Sequence, residues 1–288
     1  MTGQAVVADI DTGVDFSHPA LQGVLLTGYD FTRNRSGGNE MADVSQPAPS
    51  PCNNCKPAIV NQSTAAVLDQ STAAVLDSPP YAAFGHGTMV AGVIHLVAPT
   101  ARLMPLKSFH ADGTGYTSDI LRALYYAVQN HANVINMSFD MQDYSNEMAR
   151  AMNYADKNNV VCVSSAGNEG NSNPVYPAAF SSVMGIASTT NWDTRSSFSN
   201  YGTQLVWVAA PGEQIISTYP YGTYASSSGT SFSSPMVAGT AALILTMNPK
   251  AAPQDATTAV GHAKLLTPDL DRGRLDVYQV LAFVKSGL

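Results

Sequence analysis

Apolar positions along this chain follow two alternating rhythms. Short runs at 5–10, 102–106, 134–138, 160–164, 183–187 and 205–209 are dominated by Val, Ile, Leu, Met and Ala. Most are too short for helices, so they read as strands buried on both faces. Between them, Ile120, Leu121, Leu124, Tyr125 and Val128 recur at helical spacing behind Thr117-Ser118-Asp119, a sequence able to cap a helix. Residues 89–97 and 236–247 are apolar over most of their length and predict two inner helices. Alternation of this kind predicts βαβ units: an α/β fold, doubly wound, with a mostly parallel sheet and helices on its faces, forming one domain over residues 1–288.

One stretch breaks the rhythm. From about 34 to 83 the chain is rich in Pro, Ser, Asn, Gly and Ala, longer than an ordinary connection in a compact domain, and is expected to be a surface insertion. Inside it the octapeptide QSTAAVLD occurs twice, at 62–69 and 70–77. Two copies are too few for a solenoid, so a duplicated surface segment without its own activity is the expected reading.

Composition narrows the function classes. With 288 residues the chain can bury a sizeable core, and 45% apolar against 12% charged residues excludes disorder as its main state. A net charge of −7 offers no basic footprint, so neither nucleic acid nor an anionic membrane surface is expected as a partner. No run of 18 apolar residues occurs, and Met1-Thr2-Gly3-Gln4 lacks a signal-peptide pattern. Cys52-Asn53-Asn54-Cys55 has neither a second pair nor a nearby His, which leaves a local disulfide, two idle thiols, zinc or redox chemistry in descending order. Cys162, inside an apolar run, is expected in the core.

Four segments place a reactive side chain beside glycine at the edge of an element. They are Ile10-Asp11-Thr12-Gly13, Gly85-His86-Gly87-Thr88, Ala166-Gly167-Asn168-Glu169-Gly170 and Gly229-Thr230-Ser231-Phe232. A serine hydroxyl becomes a nucleophile when an imidazole takes its proton, and the imidazole needs a carboxylate to fix its tautomer. The oxyanion formed on attack needs donors placed in advance, which a helix N-terminus and a side-chain amide supply. Taken singly, each has a plain structural reading: Asp11 a turn residue, His86 or Ser231 a cap, Asn168 a glycine-flanked turn. Asp9 shares a strand face with Asp11 and, if buried, needs a partner that the sequence does not name.

The four segments in this order, with Asp15-Phe16-Ser17-His18-Pro19, Ser197-Phe198-Ser199 and Gly273-Arg274-Leu275-Asp276, make the chain resemble the subtilisin-like serine proteases, the subtilase family of peptidase S8 type. The resemblance covers nearly the whole chain outside the insertion. It implies a three-layer α/β/α fold with a mostly parallel central sheet and a monomeric endopeptidase acting on polypeptides. By resemblance, Asp11, His86 and Ser231 form the triad, Asn168 the oxyanion hole, and Ser138, Phe139, Asp140, Ser165, Ala166, Gly167 and Val175 the substrate-binding walls. Family habit implies a secreted enzyme, although the chain as given carries no targeting signal and no pro-segment before Asp11.

Three departures shape the expectations. Where relatives carry a calcium-binding aspartate the chain reads His18-Pro19-Ala20-Leu21, and no loop interrupts the helix after His86. No cofactor is required on this reading; the usual tight calcium site is expected to be absent, which leaves room only for a weaker one. The substrate strand, usually Ser-Leu-Gly-Gly, reads Ser138-Phe139-Asp140-Met141. With Val175 reducing pocket depth, medium apolar side chains are expected at the cleaved position. The altered strand also keeps a pseudoprotease, or peptide-binding module, as the alternative reading.

Overall fold

A computed structural model describes residues 4–45, 57–59, 63–67 and 81–287. The elements that position the site are strand β1 (Val6–Asp11), helix α1 (His86–Val97), β2 (Arg102–Lys107), α2 (Thr117–Gln129), β3 (Val134–Met137), α3 (Asn146–Lys157), β4 (Val161–Ser165), β5 (Val183–Thr189), β6 (Val208–Pro211) and α4 (Thr230–Met247). They build the three-layer arrangement that the alternating pattern implies.

The main sheet has the order β6-β5-β4-β3-β1-β2, extended at one edge by the two-residue strands Tyr29–Asp30 and Arg35–Ser36. Every pairing is parallel except that last one. Each strand from β1 to β5 is buried along almost its whole length, as a sheet covered on both faces requires. Helices α1 and α4 pack in one apolar cluster with Val7, Val134, Val163 and Ile186. Helices α2 and α3 pack on the other face with Ala8, Ile10, Ile135 and Met137. Alternate residues of β1 therefore enter different cores, the direct result of the period-two strand.

Two sequence expectations shift in detail. Thr117-Ser118-Asp119 forms the first turn of α2 rather than its cap, which falls on Tyr116. The expected surface insertion is not superficial throughout: Glu40 is fully buried and Asp43 nearly so, because both carboxyl groups find donors inside the fold. Farther along, Pro57–Ile59 pairs with Thr114–Tyr116, and Ser63–Val67, from the first octapeptide copy, pairs antiparallel with Thr223–Ser228. The second copy, Cys52 and Cys55 lie outside the described residues. Cys162 is a buried free thiol, and burial pushes it up to about 12, so it is an inert core residue.

Candidate active site

Ligand sites of open parallel sheets gather where strands end and helices begin. Here Asp11 is the last residue of β1, and His86 the first of α1. The two elements approach so closely that a Cβ on Gly87 would collide with the Gly13 carbonyl and sit 3.1 Å from Asp11 Oδ1. His86 Nδ1 donates to the Asp11 carboxylate, at 2.8 Å from Oδ1 and 2.9 Å from Oδ2. Both side chains are buried. This contact fixes the tautomer and leaves Nε2 to face the rest of the site, where it is buried with no hydrogen-bond partner among the described residues.

The start of α4 brings Ser231 to the same edge. The ring of Phe232, one residue on, lies 5.6 Å from the imidazole centroid. Ser231 Oγ donates to the Ser138 carbonyl at 3.3 Å. Pro235 lies inside α4 and has no N–H, so the Ser231 carbonyl four residues back loses its helical donor. The Ser138 hydroxyl fills that vacancy at 2.9 Å. Strand β3 and the helix that carries Ser231 are thus joined by hydrogen bonds in both directions.

Asn168, on the loop after β4, caps the same helix. Its Oδ1 accepts from the Thr230 N–H at 2.9 Å and from the Thr230 hydroxyl at 3.0 Å. A helix opening on Gly229 has no side-chain cap of its own, so this borrowed oxygen satisfies one orphan donor and orients the amide.

Sequence reading missed Glu40. Its carboxylate accepts from Thr12 Oγ1 at 2.6 Å, Thr88 Oγ1 at 2.6 Å and the Gly85 N–H at 2.7 Å. Thr12 Oγ1 in turn accepts from the Gly87 N–H at 2.9 Å. One buried carboxyl therefore clamps the strand end that carries Asp11 to the helix start that carries His86, and its negative end lies at a helix N-terminus. Burial is the main reason its carboxyl is pushed up to about 7, against the hydrogen bonds from Thr12 and Thr88 and the charge of Lys107. Lys107 is itself buried, held by the carbonyls of Thr12 and Phe109 and by Asp43 Oδ2 at 2.7 Å. The segment that holds Glu40 gave no signal because its composition is that of a loop.

The partner of Asp9 is Asn136, which donates from Nδ2 to Asp9 Oδ1 at 2.9 Å and stands 3.0 Å from Ser138 Oγ. Asn136 Oδ1 accepts from Ser234 at 2.8 Å, so the chain of contacts runs from Asp9 to α4. Among the described residues Oδ2 of Asp9 has no partner. Burial, and next the charge of Asp11, push the Asp9 carboxyl well above its ordinary range. An acid whose folded proton affinity exceeds its unfolded one loses stability as pH rises from about 4 through the folded value. Asp9→Asn keeps the accepting oxygen without that loss. It is expected to raise the thermal midpoint at pH 8 by several degrees, with the gain fading towards pH 4, as read by scanning fluorimetry at both pH values.

The predicted substrate walls divide. Ser138, Phe139 and Asp140 follow β3, Ser165 ends β4, and Ser165 Oγ donates to the Phe139 carbonyl at 3.4 Å across the two walls. Phe139 turns its ring into the core, 5.0 Å from Phe109. Val175 is buried with Ala166, Ala178 and Leu205 in a third cluster, so it too faces the core. Both apolar side chains thus pack against core residues. Met141 pairs through its backbone with Tyr176, donating at 2.7 Å and accepting at 2.8 Å. Among the described residues no group of three or more His, Cys, Asp or Glu side chains converges as a metal site.

An imidazole fixed by a carboxylate at a strand end, beside a helix that opens on a serine, is the constellation of a serine hydrolase on a doubly wound sheet. Comparison with known proteins agrees. The model of the subtilase family, Peptidase S8, matches residues 3–276. Thermitase of Thermoactinomyces vulgaris is 34% identical over 250 residues, covering 83% of this chain and 74% of thermitase. A thermophilic serine proteinase of Bacillus sp. (strain AK1) is 34% identical over 248 residues, and the match spans only 51% of that protein's length. Among solved structures, a cold adapted subtilisin-like serine proteinase superposes with a TM-score of 0.74 at 28% identity, over 96% of this chain and 88% of that one. The chain belongs to the subtilase family, a family of serine-type endopeptidases.

Proposed function

We propose that this chain is a serine endopeptidase that hydrolyses peptide bonds of polypeptide substrates through an acyl-enzyme. The observation that carries the reading is the His86 Nδ1 contact with both oxygens of Asp11, which presents a buried, unpartnered Nε2 beside the helix of Ser231. Ser231 Oγ, now donating to the Ser138 carbonyl, turns to Nε2 as substrate enters and gives up its proton while attacking the carbonyl carbon. His86 then returns the proton to the leaving amine, and Asp11 stabilises the imidazolium between the two transfers. Asn168, its oxygen engaged by Thr230, turns its amide towards the oxyanion, with the Ser231 N–H as the second donor. Water repeats the sequence to release the acyl group.

These parts supply nucleophile, base and oxyanion donors, so the reaction proceeds without a cofactor. On this reading the protein acts as a monomer outside the cytoplasm. The test is labelling by a serine-directed fluorophosphonate together with casein turnover. The expected result is a single adduct mapped by mass spectrometry to Ser231 and casein cleavage blocked by the label. An adduct elsewhere, or none in folded protein, overturns the reading.

A further inference from the structure

The slot beside Ser231 has a charge that its family resemblance does not explain. Its first wall is Ser138-Phe139-Asp140, and its second is Ser165-Ala166-Gly167, bridged by the Ser165 hydroxyl to the Phe139 carbonyl. Ser138 faces α4, where its hydroxyl meets the Ser231 carbonyl, and Phe139 faces the Phe109 core. Alternation along an extended chain returns Asp140 to the side of Ser138. Asp140 as a residue is 8% exposed.

Across the slot, Glu169 follows Asn168. Its Oε2 accepts from Asn200 Nδ2 at 2.7 Å, and it lies over Gly167, where a built Cβ would come within 2.8 Å of it. The charge of Glu169 reaches Asp140: burial first, and this neighbour second, push the Asp140 carboxyl up to about 7, with Gln142 as its hydrogen-bond partner. Among the described residues no Lys or Arg forms an ion pair with Asp140. The two bridged segments thus each carry a carboxyl group, Asp140 on the first and Glu169 beside Gly167 on the second, and the charge of Glu169 bears on the buried Asp140.

We propose that this slot selects a cationic side chain, lysine or arginine, on the acyl side of the scissile bond, with Asp140 and Glu169 as its counter-charges. The inference rests on the serine endopeptidase reading above, and it replaces the preference for medium apolar side chains expected from the sequence. A substrate cation entering the slot relieves the repulsion between the two acids. An apolar side chain leaves that repulsion in place and buries both groups further. Phe139 turns its ring to Phe109 and Val175 packs with Ala166, Ala178 and Leu205, while Asp140 shares the side of Ser138, whose hydroxyl meets the Ser231 carbonyl.

The experiment measures kcat/KM on peptide amides that differ only in the acyl-side residue, Lys, Arg, Leu or Phe, and maps casein cleavage sites by mass spectrometry. The expected result is a preference for Lys or Arg over Leu of about tenfold or more. Asp140→Asn should lower the Lys-to-Leu ratio by about tenfold, and Glu169→Gln by a smaller factor. Asp140→Ser provides a second, smaller replacement, and fluorophosphonate labelling at Ser231 certifies that each variant folds. A wild-type preference for Leu or Phe overturns the inference, as does a fall in Asp140→Asn that is equal for Lys and Leu. Either result with Ser231 labelled and casein cleaved leaves the endopeptidase reading standing; absence of labelling in folded wild type defeats that reading instead.

Discussion

Ser231→Ala should lower kcat on a peptide amide by on the order of a million-fold, a magnitude known for subtilisin itself rather than one obtained from this geometry. The reasoning starts from what remains. Asp11 and His86 keep their contact, because neither leans on the Ser231 hydroxyl. The Ser138 carbonyl loses its donor from Oγ, while Ser138 still donates to the Ser231 carbonyl, so α4 stays in place. No covalent intermediate can form, and only donors and binding assist attack by water. Substrate affinity should change little, so the effect falls on kcat. Steady-state kinetics on protein that unfolds at the wild-type temperature measures it, and a loss below about a hundredfold would remove Ser231 from the role of nucleophile.

Asp11→Asn should cost about four orders of magnitude in kcat near neutral pH. Asp11 accepts from His86 Nδ1 and also from the Thr12 N–H at 2.6 Å. An amide at this position has one accepting oxygen for those two donors, and its nitrogen is itself a donor. The low-energy outcome gives the oxygen to the backbone N–H and the nitrogen to the imidazole. His86 is then forced to accept at Nδ1 and carry its proton on Nε2, where it cannot take one from Ser231. Shape is nearly unchanged, so stability should hold while turnover falls. Proton NMR of the imidazole would show the resonance leaving Nδ1, and a variant with a tenfold loss or less would mean that Asp11 is a turn residue.

The parts of the fold and site that could be read in advance share one property: their signal is local. Strands β1 to β5 are short apolar runs because both faces are covered, and the start of α4 is marked by glycine followed by hydroxyl residues. The candidates Asp11, His86 and Asn168 stand out in the sequence through the nearby Gly13, Gly87 and Gly167, where a Cβ would come closer than 3.0 Å to another residue. Glu40 does not, since what makes it matter is a set of donors at positions 12, 85 and 88, and nothing near position 40 encodes them. Asn136 as the partner of Asp9 is similar, a contact 127 residues distant in sequence. Phe139 and Val175 pose the opposite problem: hydrophobicity says that a side chain is buried, but not whether a core or a pocket receives it.

The separation of these contacts along the chain also bears on how the enzyme comes into being. The imidazole and its carboxylate are 75 residues apart, the Ser138 bond to the nucleophile's carbonyl spans 93, and Asn168 reaches its helix across 62. The entropy of closing each of these loops is spent before its contact rewards it, which makes folding slow. Cutting of neighbouring unfolded copies should therefore begin only once strand β1 and helices α1 and α4 have come together, since these carry Asp11, His86 and Ser231.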